Sequence, residues 1–205
     1  MSSPFILQLY RKPVLVVGGG IIAERKVAYL LKEKALVTVI SPLITEGLES
    51  LRSQIKIIKT SLSVEDISEE YCRRLNINWR SFLLIVMATN SHPLNEQLSN
   101  RLFPYVSLIN IVDNPQLSSF YFPAVVDRGA LKISVTTSGK SPILARKIRE
   151  YLSDTFGLEY NAYLEELHHI RTELQKIEPD PQKRKEMLEE RTEFPLPPAT
   201  KNSGK

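Results

Sequence analysis

The sequence predicts an α/β protein whose first half is a doubly wound parallel sheet. Three observations carry that expectation. Apolar runs alternate with amphipathic helical stretches from Val14 to Val112. The first run, VLVV at 14–17, ends in three consecutive glycines. A helical pattern opens directly after them, and a second apolar run, LVTVI, follows at 36–40.

VLVV reads as a short buried strand. Residues 21–33 set Ile22, Val27, Leu30 and Leu31 near one helical face. LVTVI is the second strand, stopped by Ser41-Pro42. IKIIK (55–59) is the third strand, and FLLIVMAT (82–89) the fourth, with the unbroken apolarity of a strand covered on both faces. Between them, SEEYCRRL around Cys72 has a helical pattern. NEQLSNRLF (95–103) is the next helix and SLINIV (107–112) the fifth strand.

The pattern then changes. SFYFPAVV (119–126) and LKISVTT (131–137) flank DRGA, a turn with glycine. No helix separates them, so they pair with each other rather than extend the parallel sheet. Pro142 stands in the favoured early position of a helix. Residues 143–156, 158–175 and 181–192 read as helices, and the proline-rich, polar tail at 193–205 is expected to be disordered.

Gly18, Gly20 and Ala23 fit G-x-G-x-x-G/A, the turn of a Rossmann-type dinucleotide site. The first glycine permits the tight turn, the second lets backbone approach a pyrophosphate, and the third position needs a small residue for helix–strand packing. The helix N-terminus adds free N–H groups and a partial positive charge. The expected cofactor-binding residues are Gly18, Gly20, Ile21, Ile22 and Ala23, with Ser41, Pro42 and Leu43 after the second strand and Thr89 after the fourth. No Asp or Glu ends the second strand to hold a ribose 2′-OH, and no arginine directly follows it to grip a 2′-phosphate. NAD is the expected cofactor.

Composition bounds the rest. The chain has 205 residues, 42% hydrophobic and 24% charged, as suits a globular domain with an appendage. No apolar run approaches the ~18 residues of a membrane span, and MSSPFILQLYRK has no basic region before its apolar stretch, so a cytoplasmic protein is expected. The single cysteine, Cys72, excludes an internal disulfide and a cysteine metal cage. His168 and His169 are neighbours and point about 100° apart on a helix, and His92 opens another helix, so no metal site is expected. The net charge of +4 is uneven: Arg128, Lys132, Lys140, Arg146, Lys147 and Arg149 face only Glu150 between 128 and 151. Such a patch attracts a polyanion. Without aromatic interleaving or a nucleic-acid signature, a small-molecule polyanion is expected rather than nucleic acid or membrane.

With these pieces in order, KPVLVVGGGIIAERKVAYLL, VTVISP, MATNSHPLNEQL and NIVDNPQLSSFYFPAVVDRGALKISVTTSGKSPILARKIRE resemble the precorrin-2 dehydrogenase family, the short relatives of the N-terminal half of siroheme synthase. The likeness spans roughly residues 5–151, and NIVDNP…FYFPAVVDRG…SGKSP…AR is its most specific part. It implies NAD-dependent oxidation of precorrin-2 to sirohydrochlorin. It also implies a homodimer built through the middle β region, and in some relatives insertion of ferrous iron at the same site. The methyltransferase domain of the longer synthases is not expected here. The implied organisation is an NAD-binding domain at 1–113, a β dimerisation region at 114–142, a helical C-terminal domain at 143–192 and the tail at 193–205.

The family's candidate catalytic aspartate falls on Asp113, at the carboxyl end of the fifth strand, where a carboxylate can act as general base. Read without the resemblance, Asp113 simply starts the Asp-Asn-Pro turn. Precorrin-2 is ringed by carboxylates. Arg146 and Arg149, three apart on one helix, can hold them, with Arg128 and Lys140 flanking and Thr137 and Ser141 supplying hydroxyls. Relatives commonly carry a glycine where this chain has Ser138. A Rossmann module that senses NAD without turnover is the alternative. It accounts for the glycine turn but not for residues 113–149.

Overall fold

The computed structural model describes residues 3–112 and 114–196. Its contacts divide the chain into two compact units between Tyr121 and Phe122. The first unit holds five parallel strands: β1 (Pro13–Val17), β2 (Leu36–Ile40), β3 (Lys56–Ile58), β4 (Leu84–Met87) and β5 (Ile109–Ile111). They lie in the order β3-β2-β1-β4-β5. Val17 pairs with Ile40 on one side and Met87 on the other, so three strands end level at one edge. β1 is central, and its four valine and leucine side chains are buried on both faces. Strand-connecting helices are α1 (Ile21–Lys32), α2 (Glu46–Ser50), α3 (Glu69–Leu75) and α4 (His92–Leu102).

The doubly wound parallel sheet expected from the sequence is present, with its ends adjusted by capping chemistry. β4 is shorter than the apolar run 82–89 because Phe82 closes a 3₁₀ turn at Trp79–Ser81 and Ala88-Thr89 enter a loop. α4 starts before Asn95, at His92, because Ser91 accepts a hydrogen bond from Leu94 N–H and Pro93 suits the first turn. α2 lacks a visible period at five residues; Thr45 sets it by capping Leu48 N–H. The sole tryptophan, Trp79, is 1% exposed and stacks on Tyr71 with centroids 6.4 Å apart.

The second unit pairs β6 (Ala124–Arg128) antiparallel to β7 (Leu131–Val135), with Arg128 opposite Leu131. The hairpin therefore turns at Gly129-Ala130, later than the tetrapeptide 127–130. β6 starts at Ala124 rather than Ser119, since Pro123 has no N–H for a ladder. Three helices follow: α5 (Pro142–Thr155), α6 (Glu159–Ile177) and α7 (Pro181–Glu190). α5 packs on both hairpin strands. Tyr160 and Tyr163 of α6 accept from the N–H groups of Leu196 and Glu193, at 3.2 and 2.6 Å, so the chain returns along α6 after α7. Of the tail expected to be disordered, residues 197–205 lie outside the described residues. No helix among the described residues is long and apolar enough to cross a membrane.

Arg128 ties the hairpin to the end of α5. Its guanidinium donates to the carbonyls of Phe156 (2.6 Å), Ser153 (2.8 Å) and Asp127 (3.1 Å), and to Ser153 Oγ (2.8 Å). Arg128→Ala is therefore expected to destabilise this unit by about 2–3 kcal/mol, because several acceptors lose a charged donor together. Arg128→Lys restores only part of it, since one ammonium cannot reproduce the fork. Urea unfolding of the three proteins checks both expectations.

Candidate functional site

Strand order diverges at β1 and β4, and a crevice opens above the carboxyl ends of two strands whose connections run opposite ways. A cavity of about 590 Å³ occupies it, walled by the glycine turn, by Ser41–Thr45 after β2, by Thr60–Leu62 after β3 and by Ala88–Ser91 after β4. Gly18, Gly20, Ser41, Pro42, Leu43 and Thr89 all line it. Ile21 and Ile22 stand exposed in the first turn of α1, and Ala23 is fully buried.

The three glycines answer different demands. Gly18 has φ +116°, and a Cβ there would sit 2.2 Å from the carbonyl oxygen of Ala88. It lets the turn lie directly on the β4 loop. A Cβ on Gly19 would sit 2.1 Å from the Leu43 carbonyl oxygen. Gly20 has an ordinary φ of −82°, and its Cβ would meet only Asn90 Oδ1, at 3.9 Å. The fold itself does not require glycine at 20, whereas a ligand pressed on the backbone does. Gly20 also caps α1 with no side-chain hydrogen bond, so helix geometry leaves the first N–H groups for an outside acceptor. A pyrophosphate fits this turn.

The β2 loop is stapled to that turn. Thr45 N–H donates to the Gly19 carbonyl (3.0 Å) and its hydroxyl to the Glu24 carboxylate (2.5 Å). Ser41 is buried, and its hydroxyl donates to the Leu43 carbonyl (2.6 Å). Leu43 is 81% exposed at the cavity mouth, an apolar surface for a ring to lie against. Every described residue lining the cavity is uncharged.

The β4 loop is held by a residue that sequence reading missed. Asn95 of α4 is fully buried, and its side-chain oxygen accepts from Thr89 N–H (3.2 Å) and the Thr89 hydroxyl (2.6 Å). Its amide nitrogen donates back to the Thr89 carbonyl (3.2 Å). The signal was present: Asn95, Leu98, Ser99 and Leu102 form one buried helical face, and a polar residue on such a face must have found a partner.

Lys26 lies half-buried in α1. Burial, reinforced by the neighbouring Arg25 charge, lowers its ammonium from the ordinary 10.5 to about 8. The unfolded chain therefore holds more protons than the folded one between pH 8 and 10.5, and this group makes stability rise with pH across that window. Below about pH 8 the burial cost is constant. The stability difference between wild type and Lys26→Met should be flat below pH 8 and move in favour of wild type above it, as chemical denaturation at each pH would read.

Asp113 lies outside the described residues. The residues flanking it are tightly organised. Ser119 Oγ accepts from Ile109 N–H and Ser118 Oγ from Ile111 N–H, both at 2.8 Å, so the segment after the turn folds back along β5. Asn110 is buried and donates to the Phe120 carbonyl at 3.0 Å. Asn114 Oδ1 accepts from Gln116 and Leu117 N–H, which fixes the turn. The sequence places Ser119 at the start of a β segment and gives no sign that either hydroxyl bonds back to β5.

In the second unit, the loop before α5 is built on hydroxyls. Thr137 Oγ1 accepts from Ser141 N–H (3.1 Å) and donates to its carbonyl (3.0 Å), while Ser141 caps Leu144 N–H. Ser138 and Gly139 are both left-handed, at φ +53° and +79°, so serine holds a conformation that glycine favours. Lys140 is exposed. Arg149 and Arg146 approach the same oxygen of Glu150, at 3.0 and 3.9 Å, which confirms that the two guanidiniums share a side of α5. Arg128, by contrast, directs its donors into the protein. No group of three or more His, Cys, Asp or Glu among the described residues is placed to hold a metal ion.

Sheet, switch point and glycine turn define a dinucleotide-binding α/β protein with an appended α+β unit. Residues 5–124 match the family described as putative NAD(P)-binding, and residues 128–154 match that described as sirohaem biosynthesis protein central. The chain belongs to the putative NAD(P)-binding family and, within it, to the precorrin-2 dehydrogenase and siroheme synthase group. It is similar to the solved structure of SirC, precorrin-2 dehydrogenase, with a TM-score of 0.74 and 25% identity over 94% of this chain and 90% of that one. It is 35% identical over 175 residues to a siroheme synthase of Ruthia magnifica, covering 84% of this chain and 34% of the relative. For a siroheme synthase of Mannheimia succiniciproducens the identity is 37% over 149 residues, covering 73% and 29%. The chain thus spans about a third of the length of the curated relatives it matches.

Proposed function

We propose that this protein oxidises precorrin-2 to sirohydrochlorin in siroheme biosynthesis, with NAD as the acceptor. The observation that carries the reading is the uncharged cavity on the glycine turn, in a chain whose next segment matches the sirohaem central family. An uncharged wall offers no cation to a 2′-phosphate, which favours NAD over NADP. When bound, NAD supplies a hydride acceptor. Gly18 and Gly20 admit its pyrophosphate to the α1 N-terminus, and the Asn95-held loop at Thr89 fixes the cavity floor.

Asp113 is assigned as the general base that receives the proton lost when the reduced macrocycle gives up a hydride. Arg146, Arg149 and Lys140 are assigned to the substrate carboxylates, with Thr137 and Ser141 shaping the loop beside them. Arg128 acts at one remove by holding the hairpin to α5. Dinucleotide binding is assigned to residues 1–113, subunit pairing in a homodimer to 114–142, and covering of the substrate to the helices of 143–192. Ferrous iron is a substrate of a second step in this reading, in which Asp113 accepts pyrrole protons as the metal enters. The cytoplasm is its assigned location.

An anaerobic reaction of purified protein with enzymatically generated precorrin-2 and NAD tests the proposal. Equal amounts of sirohydrochlorin and NADH are expected. No turnover by a folded protein that still binds NADH in calorimetric titration would overturn the dehydrogenase reading in favour of a sensor.

A further inference from the structure

Apolar contact between α7 and α6 is thin, since Met187 and Leu188 of α7 are only half-buried. α7 has no buried residue. An open groove of about 410 Å³ lies between the two helices, lined by Arg171 and Gln175 of α6 and by Arg184, Lys185, Glu189 and Thr192 of α7 and its end. Three cations there face one carboxylate, leaving a surplus of two positive charges. Lys185 stands 3.6 Å from Glu189, which accounts for the carboxylate. Arg184 is oriented by one guanidinium nitrogen, which donates to the Glu178 carbonyl at 2.5 Å, and its other donors remain for a further partner. Arg171 has no ion-pair partner among the described residues. Like charges brought together across two helices repel, and an anion between them relieves that repulsion.

We propose that this groove binds a phosphate oxyanion, carried as an oligophosphate chain, which bridges Arg171 of α6 to Arg184 and Lys185 of α7. Two guanidinium forks match phosphate oxygens, and the double surplus matches a dianion better than a single carboxylate. The groove is roomy enough for more than one phosphate group. No residue lines both this groove and the dinucleotide cavity, and the proposal does not depend on the dehydrogenase reading.

The test is calorimetric titration of the full chain with tripolyphosphate, in excess NAD to occupy the glycine turn and at constant ionic strength. One site per chain is expected. Arg171→Gln and Lys185→Gln should each weaken it by about tenfold. Lys183→Gln, which removes the same charge from α7 outside the lining, should change it less than about twofold. Tripolyphosphate should raise the unfolding temperature of wild type but not of Arg171→Gln. ATP binding that is lost in Arg171→Gln would assign the phosphate to a nucleotide, and tripolyphosphate binding without ATP binding would assign a free chain. Absence of saturable binding, equal weakening by Lys183→Gln, or equally tight binding of citrate would overturn the site.

Discussion

Gly18→Ala is expected to unfold the first unit under conditions where Gly20→Ala leaves it intact, while Gly20→Ala alone abolishes tight dinucleotide binding by a folded protein. At Gly18 a methyl group must coexist with a carbonyl oxygen 2.2 Å away and with φ +116°. Backbone strain of about 1–3 kcal/mol adds to an overpacking cost of similar size, so about 2–6 kcal/mol is lost. For a chain of this length that lowers the unfolding temperature by roughly 4–24 °C. At Gly20 the backbone is ordinary and the methyl meets nothing closer than 3.9 Å, so thermal unfolding should barely change. The methyl instead occupies the phosphate's place. Losing one or two hydrogen bonds to a charged group, at about 1.5 kcal/mol each, weakens NADH binding about 10- to 100-fold. Calorimetric titration with NADH and circular dichroism melts separate the two outcomes. Equal destabilisation by both substitutions would contradict the assignment of Gly20 to the ligand.

Asp113→Asn is expected to lower turnover about 10²- to 10⁴-fold, the usual contribution of a general base. Asparagine keeps the size and one side-chain carbonyl oxygen but cannot take a proton. NADH affinity and thermal stability should therefore stay near wild type. A structural role predicts the opposite pattern, with stability lost and the remaining folded protein turning over normally. Single-turnover rates measured beside unfolding curves read both quantities on one preparation.

The sheet was legible because its signals are local. A buried parallel strand is an unbroken apolar run, and the glycines at 18 and 20 announce a close approach by their lack of a side chain. What lay hidden depends on partners distant in sequence. Asn95 looks like any polar helical residue until its face is known to be buried, when its hold on Thr89 becomes its reason for being there. Arg128 reads as one more cation of a basic stretch. Its hydrogen bonds run to residues 25 and 28 positions away, and no local pattern encodes them. α2 is one short turn, set by a Thr45 cap and an attachment to Glu24 rather than by periodicity. The shared face of Arg146 and Arg149 was visible, since helical spacing alone brings them together.

The hydroxyls of Ser118 and Ser119, laid along β5, also bear on how the protein avoids its neighbours. An outer strand of Ile-Asn-Ile with free N–H groups is a template on which another chain can grow a sheet. Here the chain consumes that template itself, using side-chain oxygens at Ile109 and Ile111 where a foreign carbonyl would otherwise dock. The opposite border, β3, is only three residues long and begins with the exposed Lys56. Both margins are thereby closed to fibril-like extension. Removing the two hydroxyls would act less on the cavity above than on the protein's tendency to aggregate at high concentration.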